Sequence, residues 1–353
     1  MSAVPVPNIQ AQREALYGRA DTQHLAPLWT RLRSLVPAEP TPVGVPHRWA
    51  YADVRPYVRE SAEHISAKEA VRRVLILENP GLKGTSQITN SLYAGLQLIM
   101  PGEVASAHRH TQSALRFIVE GQGAYTAVDG EKTSMSPGDF VITPSWTFHH
   151  HGHDAELGKG GPMVWLDGLD IPLVAFFNST FREDHEHDQA EITRPEGDAL
   201  ARYGSGLLPV GYRSALLNSP VFNYPYARTR EALHALAQAA APNAHPGYLM
   251  RYVNPLDGGW AMPTMATMIR LLPQGFATQP YRSSDSTIFI VVEGHGELRV
   301  GPQRFALTPH DIAVIPGWLA YTLLASDDCV VFPYSDRAAQ EKLGLFREQR
   351  LSA

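Results

Sequence analysis

The chain lacks several features that mark large classes of protein. It has one cysteine, Cys329, among 353 residues, so no disulfide can form within the chain and a reducing compartment is expected. No stretch approaches the roughly 18 consecutive apolar residues that a membrane-spanning helix requires. The N-terminal segment has neither the basic start nor the apolar centre of a secretory signal. These absences predict a cytoplasmic protein with no membrane partner.

A basic surface is also missing. Lysine and arginine number 30 against 35 aspartate and glutamate, which gives a formal net charge of −5. A protein that binds nucleic acid or an anionic membrane through its charge normally has an excess of basic residues. The hydrophobic content of 44% is ordinary for a globular protein, and the length allows two domains that each bury a core.

Helical patterns are confined to a few segments. Residues 8–36 carry apolar residues at near-helical spacing, which predicts one or two amphipathic helices that cover either the first domain or a neighbouring subunit. A proline-rich connector follows at 37–46, and a further helix is predicted over 51–65. Ser66 begins a capping-box pattern for a third helix. Another amphipathic helix is predicted over 229–241.

Elsewhere the pattern is that of short strands. The 28 glycines and 28 prolines are scattered along the chain, as expected of a protein with many strands and turns. One predicted strand, 91–100, places Tyr93 and Gln97 on one face and leucines on the other. The polar face fits either a ligand-binding interior or solvent. Residues 181–197 are rich in charge and are predicted to form an exposed linker, so the histidines His185 and His187 are interpreted as solvated.

The most informative residues are histidines. Eight of the fifteen fall between His108 and His187. His108 and His110 are two apart in a segment of strand character, so their side chains leave the same face of a sheet. His149 follows a second strand, and a small β-barrel would return it to the first two. Three neutral imidazoles that converge in this way predict a site for a divalent transition metal. The alternative, surface histidines with no shared partner, fits the paired spacing poorly.

These residues resemble two motifs of the cupin superfamily. The first is Gly102, five residues, and then His108 and His110; the second is Gly138, five residues, Pro144, and then His149. Many cupins have a glutamate soon after the second histidine, whereas this chain has Ala114 and Leu115. The resemblance therefore implies a three-histidine site without a carboxylate.

A longer string is more specific than the cupin motifs. It resembles the gentisate 1,2-dioxygenase group of ring-cleaving enzymes, which includes salicylate and 1-hydroxy-2-naphthoate dioxygenases, and it reads HRHTQSALRFIVEG…TPSW…HGH. This resemblance extends over nearly the whole chain. Three positions around the third histidine depart from the family pattern and leave the substrate open; they are Phe148, His150 and His153.

An internal repeat relates the two halves of the chain. Gly102 aligns with Gly275 at an offset of 173 residues, and the pattern EGxG recurs at the same offset. We therefore expect an all-β dominated protein of two tandem cupin (jelly-roll-like) β-barrels with N-terminal and linker helices. The expected division is 1–191 for the helices and the metal-binding barrel, 192–246 for a linker with a helix, and 247–353 for a second barrel.

The metal ligands are not repeated. At the three equivalent positions the second barrel has Tyr281, Ser283 and Tyr321. We predict that this barrel is free of metal and serves packing and oligomer formation.

The family resemblance implies a function. It implies one Fe(II) per chain in the N-terminal cupin, a small ortho-hydroxy aromatic acid and O₂ as substrates, and a homotetramer. Both oxygen atoms would enter between the carboxyl-bearing carbon and the adjacent hydroxyl-bearing carbon, with gentisate as the expected substrate. The alternatives are a 5-nitro or 5-halo salicylate or 1-hydroxy-2-naphthoate. A zinc or nickel isomerase and a non-catalytic binding protein are hypotheses from other classes.

Further site residues are expected around the metal. Arg116 would neutralise the substrate carboxylate or bound oxygen, although an ion pair near Glu120 is an alternative role. His151 shares the face of His149 and is the expected acid or base. Additional substrate contacts are assigned to Arg72, Arg73, Gln97, Tyr93 and Asp167.

Overall fold

Helices are short and few, as the sequence patterns indicate. The computed structural model describes residues 8–156 and 161–352, and residues 8–41 belong to a compact unit separate from the one that begins at Pro42. The α-helices are α1 (Ile9–Asp21), α2 (Leu32–Leu35), α3 (Tyr51–His64), α4 (Ala67–Ala70), α5 (Ile171–Phe176), α6 (Asp198–Tyr203), α7 (Tyr226–Ala239) and α8 (Arg337–Lys342). Two 3₁₀ turns lie at Leu28–Thr30 and Pro80–Leu82.

The helix predictions are confirmed within a few residues. The predicted 51–65 helix is α3, and the 229–241 helix is α7, which begins three residues earlier. The Ser66 hydroxyl accepts a hydrogen bond from the Glu69 amide at 3.2 Å and so caps α4 as predicted. Within the described parts of the chain, no helix is long and apolar enough to cross a membrane.

Strands are the main secondary structure of the larger unit. In the first half they are β1 (His47–Trp49), β2 (Val74–Ile76), β3 (Tyr93–Ile99), β4 (Val104–His110), β5 (Ala114–Glu120), β6 (Ala124–Val128), β7 (Glu131–Ser134), β8 (Phe140–Thr143), β9 (His149–His153), β10 (Met163–Leu169) and β11 (Arg182–Asp184). In the second half they are β12 (Asn223–Tyr224), β13 (Tyr248–Arg251), β14 (Ala266–Leu272), β15 (Tyr281–Ser283), β16 (Thr287–Glu293), β17 (Gly296–Val300), β18 (Gln303–Leu307), β19 (Ile312–Ile315), β20 (Tyr321–Ala325), β21 (Cys329–Ser335) and β22 (Glu348–Arg350).

The strands form two β-sandwiches of two sheets each. The first sandwich contains the sheets β12-β8-β5-β10-β3-β2 and β11-β4-β9-β6-β7, and the second contains β1-β19-β16-β21-β14-β13 and β18-β17-β20-β15-β22. This confirms the predicted all-β fold of two cupin-like modules. The sheets are open rather than closed into barrels, so the expected barrel is a sandwich in which the two inner faces enclose the core.

The repeat seen in the sequence is present in the strands. Strands β3, β4 and β5 correspond to β14, β15 and β16 at the offset of 173, while β8 and β9 correspond to β19 and β20 at 172. The register agrees as well, because His108 lies opposite His149 and Tyr281 lies opposite Tyr321. The two sandwiches can therefore be compared position by position.

Two strands pair across the boundaries expected from the sequence. β1 adds to the edge of the second sandwich by pairing with β19, and β12 from the expected linker pairs with β8 of the first. Asp311 strengthens the first of these connections, since its carboxylate accepts hydrogen bonds from the Tyr51 amide and the Arg48 guanidinium. The division at 191 and 246 remains a proposal about sequence modules.

The expected linker at 181–197 is mostly exposed but partly ordered as a strand. Its residues 182–184 form β11, which pairs with β4 beside the first histidine pair. His187 is exposed and has no position in the metal cluster, in agreement with the interpretation from sequence. The ring of His185 packs edge-on against Phe148 at 5.0 Å between centroids.

Candidate metal centre

Three histidines converge on the inner face of the sheet that contains β4 and β9. His108 and His110 come from β4, and His149 comes from β9 directly opposite His108. One potential ligand atom from each lies within 4.8 Å of the others, and the ring centroids are 4.6 to 5.3 Å apart. The structure thus brings together the three residues that the sequence analysis selected as metal ligands.

Backbone carbonyls orient all three rings. The Nδ1 atoms of His108, His110 and His149 lie 3.1, 2.8 and 2.9 Å from carbonyl oxygens of residues two positions away in the chain. A ring that donates its Nδ1 proton to a carbonyl has its lone pair on Nε2, which is then available to a metal.

The chemistry of this donor set fits a divalent transition metal. Burial lowers the pKa of His108 to about 3 and that of His110 to about 4, and it places the pKa of His149 well below its ordinary value. The imidazoles are therefore neutral near neutral pH, which is the form that binds a metal. The positions where other cupins have a glutamate, Ala114 and Leu115, are buried in β5 and add no carboxylate. Three neutral nitrogen ligands leave room for further ligands on the ion.

Arg72 lies directly beside the metal cluster. Its Nη2 is 2.8 Å from the carbonyl oxygen of Ser106 and 2.9 Å from Nδ1 of His108. Burial lowers the pKa of Arg72 to about 9, so it remains charged at neutral pH. When His108 donates its Nδ1 proton to Ser106, Arg72 can no longer donate to that nitrogen. Binding of a metal through Nε2 would therefore remove the contact between Arg72 and Nδ1 of His108 and leave one guanidinium donor for another acceptor.

Arg73 is held elsewhere. Its guanidinium makes two hydrogen bonds to the Glu103 carboxylate, at 2.8 and 2.9 Å, and a third to the carbonyl of Ile65. These contacts use both Nη atoms and Nε. Of the two adjacent arginines that the sequence offered, the structure brings Arg72 to the histidines and leaves Arg73 with Glu103.

Arg116 is buried in the facing sheet and already has an anion. Its Nε lies 3.5 Å from Oδ1 of Asp167, and its Nη1 donates to the hydroxyl of Thr143. Asp167 lies opposite Arg116 in the register of β5 and β10 and also accepts a hydrogen bond from the Trp165 indole at 3.0 Å. Burial nevertheless raises the pKa of Asp167 to about 6. The alternative role of Arg116, a structural ion pair, is therefore present, but its partner is Asp167 and not Glu120, which binds arginines of α3.

The charge of Arg116 still reaches the metal cluster. Together with burial, it depresses the pKa of His149 and of His151. Arg116 therefore lies close to the histidines while its guanidinium is positioned by Asp167 and Thr143.

His151 is fully buried next to the cluster. Its ring centroid is 5.8 Å from that of His149 and 5.6 Å from that of Trp165. Its Nδ1 is 2.9 Å from the hydroxyl of Thr126, whereas its Nε2 has no hydrogen-bond partner among the residues that the structure describes. An unpartnered buried nitrogen beside a metal cluster is available to a bound molecule.

Tyr93 and Gln97 share one face of β3 with Gly95, which lies between them. Gly95 lies opposite Asp167 on β10, and Asp167 lies opposite Arg116 on β5. Tyr93 and Gln97 are therefore on the same face of the sheet as Asp167 and Arg116. Gln97 is buried, so the polar face of this strand belongs to the interior rather than to solvent. A Cβ at Gly95 would lie 2.4 Å from Cγ1 of Val74 and 2.9 Å from the Tyr93 hydroxyl, so a side chain there would displace both neighbours.

Thr126 and Thr143 were not selected from the sequence, although each holds a site residue. Both are buried polar residues in apolar strands, and that pattern is the signal that could have identified them.

Two of the departures from the family pattern lie on the far side of β9. Alternation along β9 turns His150 away from the face of His149, and Phe148 comes directly before the strand; the ring of Phe148 contacts His185 and that of His150 contacts Tyr125. The third, His153, is held by the carbonyls of Asp154 and Gly161.

We predict that His110→Ala abolishes stoichiometric metal binding. Changes in residues that only support a ligand cost about 10–100-fold in metal affinity, and loss of a ligand costs more. Metal per chain, measured by mass spectrometry after loading and desalting, should fall from one to near zero while the circular dichroism spectrum is unchanged. The control is Tyr321→Phe at the position equivalent to His149, which should retain one metal. Two metals per chain in the parent protein would contradict the assignment.

Comparison with known proteins places this geometry in a family. Residues 95–168 match the cupin domain family. The chain is 51% identical over 350 residues to gentisate 1,2-dioxygenase 1 of Aquipseudomonas alcaligenes, covering 99% of this chain and all of that protein. It is 32% identical to 5-aminosalicylate 1,2-dioxygenase of a Comamonas species, covering 98% and 92% of the two chains.

A solved structure extends the similarity to three dimensions. A variant of salicylate 1,2-dioxygenase from Pseudoaminobacter salicylatoxidans, in complex with gentisate, superposes with a TM-score of 0.90 at 32% identity, covering 99% of this chain and 98% of that one. The resemblance drawn from the histidine motifs is thereby confirmed. The chain belongs to the gentisate and salicylate 1,2-dioxygenase family of cupin ring-cleaving dioxygenases.

Proposed function

We propose that the chain is an Fe(II)-dependent gentisate 1,2-dioxygenase with one iron in the first sandwich. It would insert both atoms of O₂ between the carboxyl-bearing carbon of gentisate and the adjacent hydroxyl-bearing carbon, which gives maleylpyruvate. The observation that carries the substrate is the 51% identity over nearly the full chain to an enzyme named for gentisate. The three-histidine cluster supports the metal.

The ligand set suits this chemistry. Bound Fe(II) would supply positions at which a chelating hydroxy acid and O₂ meet side by side. Because His108, His110 and His149 are neutral, the ligands leave the full charge of the cation to attract a dianionic substrate. A metal site with a carboxylate ligand would attract such a substrate less strongly.

The surrounding residues have distinct tasks in this proposal. Arg72 binds the substrate carboxylate, since its guanidinium lies beside His108 and gains a free donor when that histidine binds metal. The unpartnered Nε2 of His151 accepts or donates the proton that must move between substrate and bound oxygen. Tyr93 and Gln97 contact the ring. Arg116 and Asp167 form an ion pair in the sheet that faces the histidines and so hold one positive and one negative charge at fixed positions beside the substrate.

A substituted salicylate is the second candidate substrate. It is favoured by the similarity to the Comamonas enzyme named for 5-aminosalicylate and by 40% identity over 142 residues to a Bradyrhizobium enzyme named for 5-nitrosalicylic acid. Against it, Phe148 and His150, which depart from the family pattern, direct their side chains away from the metal histidines. Gentisate therefore remains the first choice.

We predict that the iron-loaded enzyme consumes one O₂ per gentisate in an oxygen-electrode assay and that the product absorbs as a ring-opened acid. The screen should include salicylate and its 5-amino, 5-nitro and 5-halo relatives together with 1-hydroxy-2-naphthoate. A higher kcat/KM for any of these than for gentisate would transfer the assignment to that substrate. Absence of O₂ uptake with every compound would leave the isomerase and binding-protein hypotheses.

The adjacent arginines Arg72 and Arg73 provide a matched pair of variants. We predict that Arg72→Ala lowers kcat/KM about a hundredfold, because a charge-assisted contact to the substrate is lost. Its unfolding free energy should change little. Arg73→Ala should instead lower the unfolding free energy by about 2 kcal/mol, since Glu103 loses a two-pronged partner, and it should retain most activity. Equal kinetic losses in the two variants at matched iron content would contradict the assignment.

Arg116 completes this series. Arg116→Ala leaves Asp167 buried without its partner, and it should therefore lower the unfolding free energy by about 3 kcal/mol as well as the rate. Arg116→Lys should recover part of the stability, because an ammonium preserves the charge but not the planar fork. Urea unfolding and kcat/KM at matched iron occupancy separate the two contributions. Unchanged stability in Arg116→Ala would show that the pair with Asp167 is unimportant.

We further propose a homotetramer, as the family resemblance implies. The unit of residues 8–41 contains no buried residue, and its helices carry an exposed apolar stripe that includes Leu16, Leu28, Trp29, Leu32 and Leu35. A surface of this kind is usually covered by another protein surface, here a second copy of the chain. Light scattering should give four times the mass of the chain, and a monomer mass would refute the proposal.

A further inference from the structure

The second sandwich contains a cavity at the place that corresponds to the metal centre. Its volume is about 160 Å³, and its lining includes Tyr281, Ser283 and Tyr321. These are the positions equivalent to the three metal histidines, and Tyr281 and Tyr321 face each other across β15 and β20 as His108 and His149 do across β4 and β9. The second module has therefore kept the space of the site while its metal ligands are absent.

The charged residues of the interior occupy different positions in the two sandwiches. The buried pair Arg116–Asp167 of the first sandwich is replaced at the corresponding register positions by Phe289 and Pro333. A new arginine, Arg270, stands on β14 where β3 has Gln97. The interior of the second sandwich thus has an arginine, while the register position of the first sandwich's aspartate is occupied by Pro333.

Arg270 has no partner in the part of the chain that the structure describes. It is only 8% exposed, it lines the cavity, and its Nε is buried without a hydrogen bond. No hydrogen bond or ion pair to another described residue involves its guanidinium. A buried guanidinium without a counter-ion is costly, so its presence points to an anion that enters the cavity.

The other polar groups of the cavity lining indicate which functional groups the anion has besides its negative charge. The carboxylate of Asp285 is buried, and its Oδ1 lacks a donor among the described residues. Glu348 is occupied by the Tyr281 hydroxyl at 2.8 Å and lies 3.6 Å from Arg350. Arg337 is bonded to Glu341 and lies 3.8 Å from Glu348. Among the described lining residues, the buried side-chain atoms without a hydrogen-bond partner belong to Arg270, Asp285 and His245; Arg270 is the cation of this set and Asp285 is its carboxylate acceptor.

We propose that the second sandwich binds a small hydroxylated aromatic carboxylate without a metal. Its carboxylate pairs with Arg270, its hydroxyl donates to Asp285, and its ring packs beside Tyr281 and Tyr321, whose own rings meet edge-on with centroids 6.0 Å apart. A cavity of about 150 Å³ is enough for a benzene ring, so a single-ring acid is of suitable size. The choice of this acid class rests in part on the proposed function, because it makes the ligand a relative of the substrate and the site a second one for that class.

The test measures binding in the absence of metal and O₂, so it does not depend on turnover. Metal-stripped full-length protein is titrated with 3-hydroxybenzoate in a calorimeter; this acid has no ortho hydroxyl with which to chelate iron. Arg270→Gln places in the second sandwich the residue that the first has at the equivalent position. It should weaken binding about tenfold or more, as expected for the loss of a charge-assisted contact. Arg270→Lys should bind with intermediate affinity, and Asp285→Asn should discriminate less between 3-hydroxybenzoate and benzoate.

Arg304→Gln is the control variant. Arg304 is exposed on β18 of the same sandwich and outside the cavity lining, so its loss changes the net charge equally and should leave the dissociation constant unchanged. Circular dichroism and one iron per chain after reloading verify that each variant is folded. No binding heat in the parent protein, or the same dissociation constant in the parent and in both Arg270 variants, would overturn the proposal. An enzyme inactive on gentisate that still binds 3-hydroxybenzoate through Arg270 would contradict the proposed function alone.

Discussion

The pairing of β4 with β9 is the constraint on which the metal centre depends. Because His108 lies directly opposite His149, a slip of one residue would turn one histidine out of the sandwich and leave no three-ligand cluster. The carbonyls that accept from the Nδ1 atoms come from the same two strands or the turns next to them. Strand register and ring tautomer are therefore fixed together, and the rest of the sandwich serves to hold that register.

The facing sheet contributes charge rather than ligands. Arg116 and Asp167 neutralise each other within the facing sheet. Arg72 lies beside His108, and the tautomer of His108 that binds a metal through Nε2 would no longer accept a hydrogen bond from it. In our proposal the site thus separates a fixed ion pair from a second cation, Arg72, whose hydrogen bonds to the described residues are with neutral groups and which binds the substrate anion. In the second sandwich the fixed pair is gone and a cation remains, which accounts for the different chemistry we assign to the two modules.

The sequence was sufficient to select the three histidines that cluster and to find the repeat, because both depend on spacing along single strands. It could not choose between Arg72 and Arg73, since Val71 has a positive φ of 56° and regular strand alternation begins only at Val74. It also could not pair Arg116 with Asp167, 51 residues apart, because that contact requires the register of β5 against β10. Side-chain parity is local, whereas partners across strands are set by tertiary packing.

The addition of β1 to the second sandwich has a consequence for synthesis of the chain. The Tyr51 amide and the Asp311 carboxylate that receives it are 260 residues apart, so this segment leaves the ribosome long before its partner strand exists. The first sandwich also lacks β12 until residue 224 has emerged. The first module therefore needs β12 to complete its sheet, and the second needs β1 from the N-terminal part of the chain. Contacts between residues so far apart in sequence are slow to form. Nascent chains truncated before β19 should therefore expose an unpaired β1 segment to chaperones.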